Sequence, residues 1–137
     1  MATITQEILI EVSAGEVWEA VRDVGAVHER LLPEYVLDTR IDGDTRLLTM
    51  PGGAVIRELI VTIDDETRRL AYSAIDGFRL PLTHHHASFQ VFAEPGDTTR
   101  LVWTTDVLPH DAAEQVRLRI ERGGQVMKAT LERRHPS

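Results

Sequence analysis

The segment Leu82 to Gln90, LTHHHASFQ, sets three consecutive histidines, half of the chain's six, inside what reads as a β-strand. Alternation along a strand sends His84, His86, Ser88 and Gln90 to one face and His85, Ala87, Phe89 and Val91 to the other. Two chemistries use such residues. Imidazoles one strand step apart, with Glu58 or Asp106 across the sheet, are ligand types for zinc or iron. A histidine beside a carboxylate in a partly desolvated cavity has a pKa that can be tuned toward neutrality, which suits proton abstraction beside a carbonyl or dehydration of an aldol product. The HxH pair has no second recognised ligand spacing to accompany it, so the expectation is no metal and no cofactor. No nucleophile elbow, phosphate loop or dinucleotide fingerprint is present.

Other polar residues qualify by position. Glu58 interrupts the apolar alternation of Ile56 and Ile60, where a carboxylate needs a hydrogen bond or an ionic partner such as Arg57 or a cross-strand arginine. Val102, Thr104 and Asp106 share one strand face, with Leu101, Trp103 and Thr105 on the other. Arg30 and Arg79 are cations that would suit an acidic ligand.

The elements that must position these groups are those of a soluble protein. The chain has 137 residues, 42% hydrophobic and 27% charged, the length of one domain. A net charge of -7 without a basic patch argues against nucleic acid as a partner. With no cysteine, disulfides and thiolate-bound zinc are excluded. MATITQEILIEV lacks the cationic start and continuous apolar run of a secretory signal and reads as a first strand, so cytoplasmic residence without membrane insertion is the default expectation.

Ile4, Ile8 and Ile10 share one face of that strand. Ser13 with Glu16 forms a capping-box pattern before a short helix carrying Val17, Trp18 and Val21, and a second short helix, roughly Ala26 to Leu32, stops at Pro33. Six further strands follow, with turns at Asp42-Gly43-Asp44, Pro51-Gly52-Gly53, Asp64-Asp65-Glu66, Asp76 to Pro81 and Pro95-Gly96-Asp97. Asp111 to Arg134 reads as a long helix with Val116, Ile120, Met127 and Leu131 on one face. Gly123 and Gly124 sit on or beside that face, each costing about 1 kcal/mol relative to alanine. They answer either to close packing on a strand or to room left for a ligand. The expected class is α+β, with a strongly curved antiparallel sheet of about seven strands wrapped around the long C-terminal helix, and a pocket wherever sheet and helix do not meet.

Four stretches carry a family resemblance: VSAGEVWEAVRDVGAVHERLLP, PGGAVIREL, DDETRRLAYS and the helix after DVLP. With them the chain resembles the SRPBCC superfamily, the helix-grip proteins that include START lipid-transfer domains, birch-pollen-type allergens, polyketide cyclases and plant abscisic-acid receptors. It looks closest to bacterial polyketide cyclase/dehydrase-like members. MPGGA, Met50 to Ala54, is similar in position to the receptors' gate loop, and GFRLP, Gly77 to Pro81, to their latch. The gate's serine-glycine-leucine-proline order is absent, so what the resemblance implies is only that both loops border a pocket entrance. It also implies a cavity carboxylate at Glu58 and points His86 and Ser88 inward, whereas periodicity alone would bury the set containing His85.

The resemblance thus implies a single domain over residues 1–137 that binds a small hydrophobic ligand, aromatic or polyketide-like compounds included, between sheet and helix, as monomer or homodimer. Its expected contacts are Glu58, Arg79, His84, His86, Ser88, Thr104, Gly123, Gly124 and Met127. The alternatives are a cyclase or dehydratase using His86 with Glu58 or Asp106, and a protein-interaction module with a filled pocket and an outward face of Val55, Leu59, Val61 and Trp103.

Overall fold

Apolar residues at every second position make strands with one dry face. In β1, Ala2–Ile10, Ile4, Ile8 and Ile10 are buried while Thr3, Thr5 and Leu9 face solvent. The computed structural model describes residues 2–77 and 80–134, excepting the side chain of residue 134. After β1 come α1 (Ala14–Arg22) and α2 (Val27–Arg30). The strands β2 (Asp38–Asp42), β3 (Thr45–Thr49), β4 (Val55–Asp64), β5 (Arg69–Asp76), β6 (His84–Glu94) and β7 (Thr98–Leu108) follow. A 3-10 turn at His110–Ala112 leads into α3, Ala113–Arg134.

The seven strands form one antiparallel sheet in the order β1-β7-β6-β5-β4-β3-β2. From β2 to β7 each strand pairs with the next in sequence, and β1 joins the far side by pairing with β7 from Ala2↔Val107 to Ile10↔Thr99. The sheet does not close, because β1 and β2 are both edges. Helix and sheet thus supply the expected two layers, in the helix-grip arrangement.

Helix α1 starts where predicted, with the Glu16 N–H donating to Ser13 Oγ at 3.4 Å. Its side chains Val17, Trp18 and Val21 are buried. Trp18 Nε1 and Arg22 Nε both donate to Asp65 Oδ1, at 2.9 and 2.8 Å, tying α1 to the β4–β5 turn. Those bonds, Arg22's first, hold the Asp65 carboxyl below its ordinary value.

Helix α3 buries Val116, Ile120, Met127 and Leu131, the face read from sequence, and lies against β1. The glycine pair allows the close approach. A Cβ on Gly124 would stand 2.9 Å from Ile8 Cδ1, and one on Gly123 3.1 Å from Trp103 Cζ3. Leu101 and Ile10, fully buried beneath, each contribute about 1.5–3 kcal/mol by leaving water. At the other end of the sheet, Gly77 has φ +82°, and a Cβ there would land 1.9 Å from the Val55 carbonyl oxygen, so only glycine lets β5 leave the sheet over the start of β4.

Candidate ligand cavity

Between α3 and the inner face of the sheet stands an aromatic row drawn from three neighbouring strands. Trp103 of β7 stacks on Phe89 of β6 with centroids 4.7 Å apart, and Phe89 on Tyr72 of β5 at 5.8 Å. Trp103 Nε1 donates to the Tyr72 hydroxyl oxygen at 3.0 Å, which satisfies a buried indole N–H. Burial, and then the nearby Glu58 charge, push the Tyr72 hydroxyl well above its ordinary value, so it stays a neutral phenol.

Register builds the polar centre. Arg46 of β3 is the partner of Glu58 of β4, and the two are 4% and 8% exposed, buried deeply enough that each depends on the other. Arg46 Nε donates to Glu58 Oε1 at 2.7 Å, and the guanidinium lies 5.0 Å from the centroid of the Tyr72 ring. Among the described residues, Arg46 Nη1 is a buried side-chain nitrogen with no hydrogen-bond partner.

His85 closes a gap in the sheet. Pairing of β5 with β6 runs from Arg69↔Gln90 to Tyr72↔Ala87 and goes no further. Beyond it, Ser73 Oγ donates to the His85 carbonyl oxygen, and the Ala74 N–H donates to His85 Nδ1 at 2.9 Å. With Nδ1 an acceptor, the neutral ring carries its proton on Nε2. Burial lowers the pKa of His85, the Glu58 charge opposing, so the imidazole is neutral at pH 7.

These groups line adjoining spaces that share Ile56 and Trp103 as walls. One of about 200 Å³ is lined by Glu58, Tyr72, His85, Thr105 and, from α3, Val116 and Ile120. An inner one of about 160 Å³ reaches Arg46, Phe89 and Met127. The outer one, about 400 Å³, is bordered by Tyr35, Met50, Pro51 and Gly123, with the exposed Arg119 and Arg122 at its rim. Volumes of this order suit a small organic molecule. Met50 and Pro51 of the first expected loop and Leu80 of the second line these spaces.

A family model described as "Polyketide cyclase / dehydrase and lipid transport" matches residues 1–133. The chain belongs to that family. Solved structures agree in fold. An uncharacterized protein from Bacillus thuringiensis superimposes with a TM-score of 0.85 at 20% identity, over 95% of this chain and 98% of that one. The di-domain ARO/CYC protein BexL gives 0.84 at 14% identity, over 96% of this chain and 47% of that one. Norcoclaurine synthase from Thalictrum flavum, in complex with dopamine and hydroxybenzaldehyde, gives 0.73 at 22% identity, over 99% and 88%. Among curated proteins nothing matches the sequence.

In this polyketide cyclase/dehydrase-family chain the expected polar wall is turned around. Ala87, Phe89 and Val91 are buried on the inner face of β6, so His85 faces inward and His84, His86 and Ser88 face outward. Likewise Trp103 and Thr105 take the inner positions of β7, leaving Thr104 and Asp106 outside. His86 and Asp106 are register partners there, and Asp106 Oδ1 accepts from Thr3 Oγ1 at 2.6 Å. His86 and Asp106 therefore do not meet Glu58, which lies on the opposite face of the sheet. The physical reason is burial: alternation allows one face inside, and the apolar set takes it.

Glu58 and Met127 line the cavity as expected, and Gly123 borders its outer part. Gly124 instead packs on Ile8 of β1, and Arg30 is paired with Asp23 at 3.0 Å. Arg79 lies outside the described residues. Trp103 is an inner residue and does not join Val55, Leu59 and Val61 on an outward surface. Among the described residues no three metal-ligating side chains gather, and no helix is long and apolar enough to cross a membrane.

Polar and charged cavity residues that sequence reasoning missed include Arg46, Tyr72, His85, Thr105, Arg119 and Arg122. The signal for Arg46 was its shared parity with Leu48, together with the need of Glu58 for a cross-strand cation.

Proposed function

We propose that this chain binds a small hydrophobic, aromatic molecule between the sheet and α3. The observation that carries this is a continuous wall of Ile56, Tyr72, Phe89 and Trp103 facing unfilled space and opening past Met50 and Pro51. The aromatic molecules named with norcoclaurine synthase, and the family's description, support the ligand class. Ile56 borders every part of the space, so Ile56→Trp would fill it. In calorimetric titration with 2-ethylnaphthalene, the unaltered protein is expected to bind and a folded Ile56→Trp variant to lose at least about tenfold in affinity. Equal affinity in the two proteins would place binding elsewhere.

A second reading, cyclase or dehydratase chemistry, has its own observation: His85, Glu58 and the Tyr72 phenol line one space. His85 would act as donor, since Nδ1 is engaged by Ala74 and the proton sits on Nε2, polarising a carbonyl while the Glu58 carboxylate takes a proton from the adjacent carbon. In this role His85 replaces the outward His86. Turnover of a poly-β-ketone should then fall about 100-fold or more in His85→Phe and not in His86→Ala. Equal turnover in all three proteins would remove both histidines from catalysis.

A further inference from the structure

The polar centre of the cavity is asymmetric. Arg46, 4% exposed, gives Nε to Glu58 and its π-face to Tyr72, while Nη1 is buried without a hydrogen-bond partner among the described residues. Buried polar groups are nearly always satisfied, and a guanidinium N–H is the donor least able to escape by losing its proton. The same side chain lines the inner space with Glu58, Tyr72, Phe89, Trp103 and Met127, so an unused donor stands beside an aromatic wall.

We propose that Arg46 Nη1 anchors the ligand's oxygen, and that the ligand is an aromatic compound bearing a neutral carbonyl, a ketone, aldehyde or ester, rather than a carboxylate. This rests on the reading of the cavity as a hydrophobic binding site. Charge decides between the two oxygens. Arg46 and Glu58 already neutralise each other at 2.7 Å. A carboxylate beside them would bring a second negative charge next to Glu58 in an apolar enclosure, with no buried cation left to balance it. Tyr72 beside the pair is a neutral phenol, and His85 in the adjoining space is neutral too. A carbonyl oxygen completes the donor and adds no charge. Arg119 borders both the His85 space and the outer one and Arg122 the outer one, where they would favour an anion, but both are exposed to water and neither lines the inner space of Arg46.

The test compares three probes of nearly one shape, 2-acetylnaphthalene, 2-ethylnaphthalene and 2-naphthoate, by titration calorimetry on the unaltered protein and on Arg46→Met/Glu58→Leu. The double variant removes the pair together, so neither charge is left alone. In the unaltered protein the ketone is expected to bind about tenfold or more tighter than the hydrocarbon, despite being the less hydrophobic of the two, and the carboxylate no tighter than the hydrocarbon. In the variant the ketone's advantage over the hydrocarbon disappears, the two binding within about threefold of each other. Equal binding of ketone and hydrocarbon by the unaltered protein, or a ketone advantage that survives in the folded variant, overturns the role of Arg46 and leaves the cavity reading standing. Tighter binding of the carboxylate overturns the neutral-acceptor class. If none of the three binds, the cavity reading falls and the anchor with it.

Discussion

His85 couples stability to pH. Its pKa in the folded chain lies below the ordinary histidine value, so as pH drops through about 6.5 the unfolded chain takes up a proton before the folded one does. Its contribution to stability is therefore complete above that pH and is lost on acidification toward the lowered folded value, at a slope of at most about 1.4 kcal/mol per pH unit. His85→Asn keeps an acceptor for the Ala74 N–H and removes the titration. Urea unfolding at pH 7.5 and 5.5 should show a smaller loss in the variant than in the unaltered protein. Equal losses would mean that His85 titrates as it does in the unfolded chain. At this scale the sequence was half legible. The inward set of β6 followed from Ala87, Phe89 and Val91, whose burial the alternation already required. Preferring His86 and Ser88 failed because a polar lining was sought in the strand's polar residues, whereas His85 enters the cavity on the apolar face. Arg46 looked like any strand arginine, since its burial comes from pairing with Glu58 on the next strand.

For the elements, the glycine pair on α3 separates two kinds of close contact. An added methyl at Gly124 meets the end of a flexible side chain, Ile8 Cδ1 at 2.9 Å, which can turn aside while the helix gains propensity. One at Gly123 meets the Trp103 ring at 3.1 and 3.2 Å, and that ring is held by its stack on Phe89 and its bond to Tyr72. Gly124→Ala should therefore change stability by less than about 0.5 kcal/mol, and Gly123→Ala should cost about 1–2 kcal/mol through overpacking. Thermal unfolding of the two variants checks the order, and a larger loss at Gly124 would reverse the account. Helix existence and the buried face of α3 were written in the spacing of Val116, Ile120, Met127 and Leu131. What each glycine touches was not, because that depends on where β1 and β7 lie beneath the helix.

Across the whole molecule, one helix both closes the core and roofs the cavity. Leu131 is packed in the core and lines none of the described spaces, whereas Met127 borders the inner one. Truncating either to alanine should cost about 2–5 kcal/mol. Only Met127→Ala should change the affinity of a naphthalene probe, because only it enlarges the space the probe occupies. Calorimetry beside urea unfolding reads both quantities, and a matching affinity change in Leu131→Ala would show that the two ends of α3 are not independent.

The sequence by itself determined the layers. Period-2 and period-3.6 patterns, punctuated by turn residues, dictate which faces must leave water, and an antiparallel sheet gripping a terminal helix is how this order of elements buries them. Glu58 was legible as a carboxylate in need of a partner for the same reason, since a charge on an apolar strand face is costly alone. Tertiary structure decided the partner and the site. Pairing of β3 with β4 brought Arg46 to Glu58, the end of the β5–β6 ladder left the Ala74 N–H to the His85 ring, and the seating of α3 on β1 left space beside Trp103. These are contacts between strands and layers, set by register and close packing, and no local pattern along the chain encodes them.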